Sequence, residues 1–232
     1  MPNLAIVGYG KMGKLVEQLA PEYGFTVTLK LDEFNNVKLS GVTAANFRDV
    51  AVAVDFSIPS AVYENVEAIA ALKVNLVIGT TGWLEHMEPI QRLVRQNGIG
   101  LVWSPNFSIG VNVFFRLVSE AASLLSAQPE YGAWAWEIHH STKKDAPSGT
   151  LLKLVEEMKK AGYARAIDVG SNRAGAVPGV HEIGFDSSAD TITLRHTARS
   201  REGFARGALQ AAKWVIGKKG FHDFSEVIFR GE

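Results

Sequence analysis

Apolar and polar positions divide the chain into two kinds of pattern. Over the first hundred residues, segments 4–7, 25–29, 50–54, 76–78 and 101–103 are nearly unbroken apolar runs. Such runs predict parallel strands buried on both faces of a sheet. The stretches between them, 14–20, 61–71 and 88–96, place their apolar residues at helical spacing. Strand and helix in alternation predict an α/β architecture with a doubly wound parallel sheet.

The pattern changes past Phe107. Phe114, Phe115, Val118, Ala122 and Leu125 keep a helical period over about four turns. Residues 131–140 alternate instead, with Trp134, Trp136 and Ile138 on one face and Ala133, Ala135 and Glu137 on the other. That is the signature of a half-buried strand. A helix over 150–161 follows, with Gly162 as its C-cap. Segments 181–185 and 191–196 read as two strands joined by the turn-rich Asp186-Ser-Ser-Ala-Asp190. A helix over 204–215 and an edge strand over 227–229 return the chain to the first sheet. The expected division is 1–107 with 208–232 as one domain and 108–207 as a smaller α+β domain, its sheet mixed or antiparallel. No internal repeat or low-complexity segment interrupts this order.

Composition narrows the field modestly. Apolar residues make up 47% and charged residues 21%, as in an ordinary globular protein. The 24 basic and 24 acidic residues cancel, so neither a nucleic acid nor an anionic membrane is an expected partner. The absence of cysteine excludes disulfides, zinc fingers and thiol nucleophiles. The N-terminus lacks a basic start with an apolar core, and no uninterrupted apolar run approaches the ~18 residues of a membrane span. A cytoplasmic location is the expectation.

Candidate chemistry begins with Gly8-Tyr9-Gly10-Lys11-Met12-Gly13, directly after the first strand and before a helical pattern. Glycines there serve a tight turn, a close backbone approach to a pyrophosphate and tight helix–sheet packing. Asp32 lies nineteen positions beyond Gly13, where a carboxylate would bond the adenosine ribose of a dinucleotide. The context makes the loop a Rossmann-like dinucleotide site rather than a glycine turn beside a solvated acid. Glu33 adds a second acid that would repel a 2′-phosphate, which leans toward NADH over NADPH, with Lys11 as an opposing charge. Three more loops fall at C-terminal strand ends, where ligands gather in open α/β sheets: Asp55-Phe56-Ser57, Gly79-Thr80-Thr81-Gly82 and Ser104-Pro105-Asn106-Phe107.

A second concentration of chemistry spans 137–150, Glu-Ile-His-His-Ser-Thr-Lys-Lys-Asp-Ala-Pro-Ser-Gly-Thr. His139 and His140 are adjacent and so point to opposite faces of a strand. They cannot chelate one metal as a helical i, i+4 pair would, and no metal is expected. Pro147 pre-sets the backbone, Ser148 is a preferred N-cap and Gly149 leaves room for a ligand. The amides of Ser148, Gly149 and Thr150, with positive charge from Lys143 or Lys144, suit a small carboxylated substrate.

Segment 137–150 resembles the E-x-HH-x-x-K-x-DAPSGT signature of the dihydrodipicolinate reductase (4-hydroxy-tetrahydrodipicolinate reductase) family. The likeness runs over essentially the whole chain, through the glycine-rich loop, the loops at 55–57, 79–82 and 104–107, and the tail at 200–209. The resemblance implies NAD(P)H-dependent reduction of hydroxytetrahydro- or dihydrodipicolinate to tetrahydrodipicolinate, in the diaminopimelate route to lysine. It implies that His139 and Lys143 form the proton-transfer pair and that His140, Lys143, Gly149 and Thr150 contact substrate. Cofactor contacts fall on Gly8, Tyr9, Gly10, Lys11, Met12, Gly13, Asp32, Gly79, Thr80, Thr81, Ser104, Pro105, Asn106 and Phe107, with Phe56 and Ser57 from the neighbouring loop. It further implies a homotetramer joined through the sheet of the second domain, with the Trp134/Trp136 face partly in the interface.

The chain departs from the family in a trimmed stretch after the second strand. Arg173-Ala-Gly175 and Pro178-Gly-Val-His181 also replace the usual Arg-Gly-Gly before Gly-x-His. The expected chemistry puts hydride on the ring carbon conjugated to C=N, with a proton delivered by His139 or Lys143. Of the two, an unperturbed imidazole titrates near ~6.5 and an amine near ~10.4, which favours His139 as donor and Lys143 as charge binder. The alternatives are another two-domain dehydrogenase acting on an amino acid, or a non-catalytic dinucleotide sensor. The Pro-Ser-Gly-Thr helix start weighs against the first and the His139/Lys143 pair against the second.

Overall fold

The computed structural model describes residues 1–229. In chain order, the first strands and helices are β1 (Asn3–Val7), α1 (Lys11–Leu19), β2 (Thr26–Leu31), β3 (Val50–Asp55), α2 (Val62–Ala71), β4 (Asn75–Ile78), α3 (Met87–Asn97) and β5 (Gly100–Trp103). There follow α4 (Ile109–Ser126), β6 (Gly132–His139), α5 (Gly149–Lys160), β7 (Ile167–Arg173), β8 (Val180–Asp186) and β9 (Thr191–Thr197). The described residues close with α6 (Glu202–Val215), β10 (Gly220–Asp223) and α7 (Phe224–Phe229). Contacts gather these into two compact units, Met1–Ile109 with the segment from Glu202 onward, and Gly110–Arg201.

The first unit is a six-stranded sheet in the order β10-β5-β4-β3-β1-β2, every pairing parallel. Alternation along its strands explains the unbroken apolar runs. Leu4, Ile6, Val52 and Val54 face one way, onto α1 and α6 residues such as Val16, Leu209 and Val215. Ala5, Val7, Ala53, Leu76 and Ile78 face the other way, onto Val66 and Ile69 of α2 and Ile90 and Val94 of α3. Each fully buried Val, Leu or Ile of this kind contributes roughly 1.5–3 kcal/mol, so apolar burial holds helices against both faces. The strand order reverses between β1 and β3, the switch point at which such sheets open a crevice.

The second unit is a four-stranded mixed sheet, β7-β6-β8-β9, in which β6 and β7 run parallel and the remaining pairs antiparallel. One face packs under α4 and α5, through Phe114, Phe115, Val118, Leu151, Leu154 and Met158 against Ala135, Ile183 and Phe185. By length and composition α4 is apolar enough to cross a membrane. Its Val111, Phe114, Phe115, Val118 and Ala122 are instead buried in this core.

Several expectations need correction. The edge strand placed at 227–229 lies within α7, because Phe224 and Val227 share a helical face buried in the core. The added parallel strand is β10, whose Gly-Phe-His-Asp carries too little apolar pattern to be read as one. Strand β7, Ile-Asp-Val-Gly-Ser-Asn-Arg, was absent from the predicted elements, since an edge strand with mostly polar residues has no alternation to show. The expected glycine cap of α5 is present: Gly162 has φ 95°, its amide donates to the Lys159 carbonyl at 3.0 Å and the Tyr163 amide to the Met158 carbonyl at 3.2 Å.

Gly207 of α6 marks the tightest helix approach in the first unit. A Cβ there would overlap the Phe107 carbonyl oxygen and lie 2.9 Å from the Phe224 ring. Gly207→Ala is therefore expected to lower unfolding free energy by about 1–3 kcal/mol through overpacking. Urea denaturation measures this, and a variant within ~0.5 kcal/mol of the parent, the usual range of surface substitutions, would show that α6 is free to shift.

Candidate active site

In the first unit the glycine-rich loop turns from β1 into α1 at the switch point. Gly8 has φ 87°, and a Cβ on it would overlap the Phe56 carbonyl. A Cβ on Gly13 would lie 2.6 Å from the Gly8 carbonyl oxygen, so the helix can start this close to the strand only without one. Gly10 caps α1 with no side-chain partner, leaving first-turn amides to meet an anion. Beside this loop lies a cavity of ≈ 470 Å³, walled by Gly8, Tyr9, Gly10, Asp32, Glu33, Phe56 and Ser57. A cavity edged by the glycine loop that leads into a helix at one point and by a carboxylate at another fits a dinucleotide.

Asp32 follows β2, and its Oδ1 accepts the amides of Phe34 and Asn35 at 2.9 and 3.1 Å, which holds the carboxylate at the rim. Lys11 is exposed on α1 and Met12 half-buried, and neither lines this cavity; Lys38, from the shortened stretch after β2, does. Lys38 is the basic residue that motif reading missed, because it belongs to no motif.

The remaining predicted cofactor residues lie at the ends of β4 and β5. Gly79 is packed against the Phe56 ring, Thr80 is buried and Thr81 exposed. Ser104 closes its own turn, donating to the Asn106 carbonyl at 2.8 Å and accepting the Asn106 amide at 3.1 Å, with exposed Pro105 between them. The Phe107 ring is 2% exposed and packs on Phe224 at 4.7 Å between centroids. Its side chain belongs to the core, which removes it as a direct cofactor contact.

In the second unit the core face of β6 turns from apolar to charged along the strand: Ala133, Ala135, Glu137, His139. Glu137 is 0% exposed. Its strand partners are Ser171 on β7 and His181 on β8, and His139 stands opposite Arg173. Oε1 accepts the Ser148 amide at 2.8 Å, the Ser171 hydroxyl at 2.7 Å and the Arg173 guanidinium at 3.0 Å. Oε2 accepts the Ser148 hydroxyl and lies 3.3 Å from His181 Nε2. Burial alone would raise this carboxyl's pKa, but hydrogen bonds from His181, Ser148 and Ser171 outweigh it and hold the group well below its ordinary value.

This changes the role expected of Ser148. It is the N-cap of α5, its hydroxyl accepting the Leu151 amide at 3.2 Å, yet its own N–H and O–H both serve Glu137. At 2% exposure it is an anchor, not a substrate contact. Gly149 is exposed with open space where a Cβ would stand, and Thr150 is half-buried beside it, so the cradle narrows to these two residues. Glu137 is the functional residue that motif reading left without a role. Its signal was available: an acid on the alanine face of an alternating strand.

His139 is 7% exposed, its Nδ1 3.5 Å from Glu137 Oε2 and its ring edge-on to His181 at 5.0 Å. Burial pushes its pKa down to about 4; the Glu137 anion pulls upward while His181, Lys143 and Arg173 press the same way as burial. His140 turns to the opposite face, its Nδ1 2.8 Å from the Thr142 hydroxyl. Lys143 pairs with Asp145 at 2.7 Å and Lys144 is exposed. Arg173 also donates to the Asp145 carbonyl, so the Arg173-Ala-Gly variation still ties this loop down.

Ligand atoms of Glu137, His139 and His181 lie within 4.8 Å of one another, a spacing that could suit a metal ion. The carboxylate is already filled by hydrogen bonds and by the Arg173 cation. A divalent ion would have to displace the Arg173 guanidinium, 3.0 Å from Oε1, to bind there.

Residues 2–107 match the family described as "Dihydrodipicolinate reductase, N-terminus", and residues 110–228 match "Dihydrodipicolinate reductase, C-terminus". The chain is 33% identical over 238 residues to the 4-hydroxy-tetrahydrodipicolinate reductase of Christiangramia forsetii, covering 97% of each. It is 36% identical over 229 residues to the enzyme of that name from Thermosipho africanus, again covering 97% of each. In structure it is similar to the dipicolinate-bound dihydrodipicolinate reductase of Paenisporosarcina sp. TG-14, with a TM-score of 0.80 at 23% identity over 99% of this chain and 100% of that one.

The His139 shift predicts a pH dependence. Its pKa is lower in the folded state than the ordinary 6.5, so protonation favours the unfolded chain. The stability it contributes is complete above pH 6.5 and is lost as pH falls from 6.5 toward 4. Glu137, also depressed, adds a further loss below its ordinary 4.5. Urea midpoints through that range should fall for the parent and fall less for His139→Gln. Equal slopes would mean that His139 is not held neutral by the fold.

Proposed function

The chain belongs to the dihydrodipicolinate reductase family, and on that footing we propose how its own residues carry the reaction. It is an oxidoreductase of the diaminopimelate route to lysine, reducing 4-hydroxy-tetrahydrodipicolinate, or the dihydrodipicolinate formed from it, to tetrahydrodipicolinate. The observation that carries the residue assignment is a buried imidazole 3.5 Å from Glu137, beside a helix N-terminus that Glu137 anchors through Ser148.

When bound, the reduced nicotinamide supplies the hydride that adds to the ring carbon conjugated to C=N. Gly8, Tyr9, Gly10, Phe56 and Ser57 hold the dinucleotide, and Asp32 bonds its adenosine ribose. Gly79, Thr80, Thr81, Ser104, Pro105 and Asn106 complete the nicotinamide side. Asp32 and Glu33 at the cavity rim favour NADH, with Lys38 rather than Lys11 as the charge that would admit a 2′-phosphate.

The amides of Gly149 and Thr150 take one substrate carboxylate at the positive end of α5. His140 and Lys143 take the second charge. The ring carbon left with the electron pair then accepts a proton. His139 is held neutral at pH 7 by burial, so Lys143 is the proton source and His139 orients the ring and relays. That reverses the division expected from unperturbed groups. The outer face of the second sheet, where Trp134 and Trp136 border a groove with Asp168, Glu182 and Arg195, joins copies of the chain into a homotetramer.

The purified protein should oxidise NADH in the presence of freshly generated 4-hydroxy-tetrahydrodipicolinate, with a higher kcat/KM than for NADPH. No oxidation above background with either cofactor would remove the assignment. Lys143→Gln should lower kcat by about 10²–10⁴, the usual worth of a positioned proton donor, and more than His139→Gln does. The reverse order would return the donor role to His139. For the assembly, Trp134→Asp with Trp136→Asp should shift the sedimenting species below a tetramer, and a parent that sediments as a monomer would overturn the interface.

A further inference from the structure

At the C-terminal end of β3 the chain turns a carboxylate, not an apolar group, into the interior. Asp55 is 0% exposed. Its described partners are all uncharged: Oδ1 accepts the Ser57 amide at 2.8 Å, the Ser57 hydroxyl at 2.7 Å and the Thr80 hydroxyl at 2.9 Å. Oδ2 accepts the Asn65 amide of α2 at 3.0 Å. A carboxylate is acceptor-only with about four lone-pair sites, and these donors match them. An asparagine of the same shape would turn a donor toward Asn65.

The backbone repeats the connection, since the Asp55 carbonyl accepts the Gly79 amide at 2.8 Å and the Phe56 amide donates to Val7 at 2.8 Å. Phe56 is wedged between Gly8 and Gly79, neither of which has room for a Cβ. Ser57 and Phe56 wall the dinucleotide cavity.

We propose that Asp55 is a positioning residue of the cofactor site: its carboxylate ties the Phe56–Ser57 loop to the Gly79–Thr80 loop and so sets the spacing of the walls that grip the dinucleotide, without touching it. This rests on the dinucleotide reading of that cleft. The stability side supports it. Burial pushes the Asp55 carboxyl up despite its hydrogen bonds, so the ionised form weakens the fold at every pH above the raised value. A residue kept for stability alone would be apolar there; rules of this kind are broken at functional sites.

Asp55→Asn keeps the volume, removes the charge and sets two donors face to face. It should weaken NADH binding, read by fluorescence titration, by about tenfold and raise the KM for NADH. The KM for the dicarboxylate should stay unchanged. Val94→Ala, a core truncation in α3, is the control and should lower Tm without changing NADH affinity.

Thr80→Val adds a coupling test, losing its effect on NADH affinity in the Asp55→Asn background if the Thr80 hydroxyl acts through the carboxylate. An NADH affinity within twofold of the parent, or additive effects of the two substitutions, would overturn the proposal. Should Asp55→Asn fail to fold, Asn65→Ala takes its place, with hydrogen exchange at the Ser57 and Gly79 amides of the free protein as the readout. Faster exchange at both supports the tie, and unchanged exchange at either overturns it. A parent protein that binds no NADH would instead sink the cofactor reading itself.

Discussion

A charge withdrawn from water must find its hydrogen bonds inside the fold, and the second unit is organised around that demand at Glu137. The residue sits on the central strand β6, so its neighbours in register come from both sides, Ser171 from β7 and His181 from β8. The Ser148 amide and hydroxyl then bring the start of α5 onto the same carboxylate. Three strands and a helix end are thereby referred to one pair of oxygens. What the helix offers outward, the amides of Gly149 and Thr150, is aimed by what Ser148 is bound to inward.

Asp55 and Glu137 solve the same problem with opposite electrostatic outcomes. Glu137 has Arg173 and two imidazoles beside it, and its hydrogen bonds win over burial. Asp55 has only neutral donors, and burial wins. One carboxylate therefore holds its unit together as an anion, while ionisation of the other works against the fold. Glycines make the complementary contribution: at Gly8, Gly13 and Gly79 the missing Cβ is what lets backbone and ring approach each other closely enough for the loops to interlock.

Much of this was legible from residue order because both signals used there are physical. Unbroken apolar runs required burial on two faces, and the sheet supplies it at β1, β3 and β4. What escaped had no local signal. Strand β7 holds its place by pairing with β6, not by its own alternation, and β10 carries one apolar residue. Ser148 was read as a ligand contact because N-caps bind anions; nothing in the order of residues says that the anion is the protein's own, eleven positions earlier. Lys38 was invisible for the same reason, since its place on the cavity depends on a turn with φ 50° and not on a motif.

The closure between Glu137 and Ser148 also explains why the chemistry is so dense along this segment. Residues 140–147 form a loop whose two ends meet at one carboxylate, so its length is set by that contact. Within it, His140 is braced by Thr142, Lys143 by Asp145, and the Asp145 carbonyl by Arg173. Each group that would touch substrate is held by another that does not. An insertion in this loop would leave the fold intact but move His140 and Lys143 relative to the Gly149–Thr150 amides. A 1 Å misplacement of that kind can cost about 10²-fold in rate. The spacing in the motif is thus a geometric requirement, set by a buried anion at one end of the loop and its serine at the other.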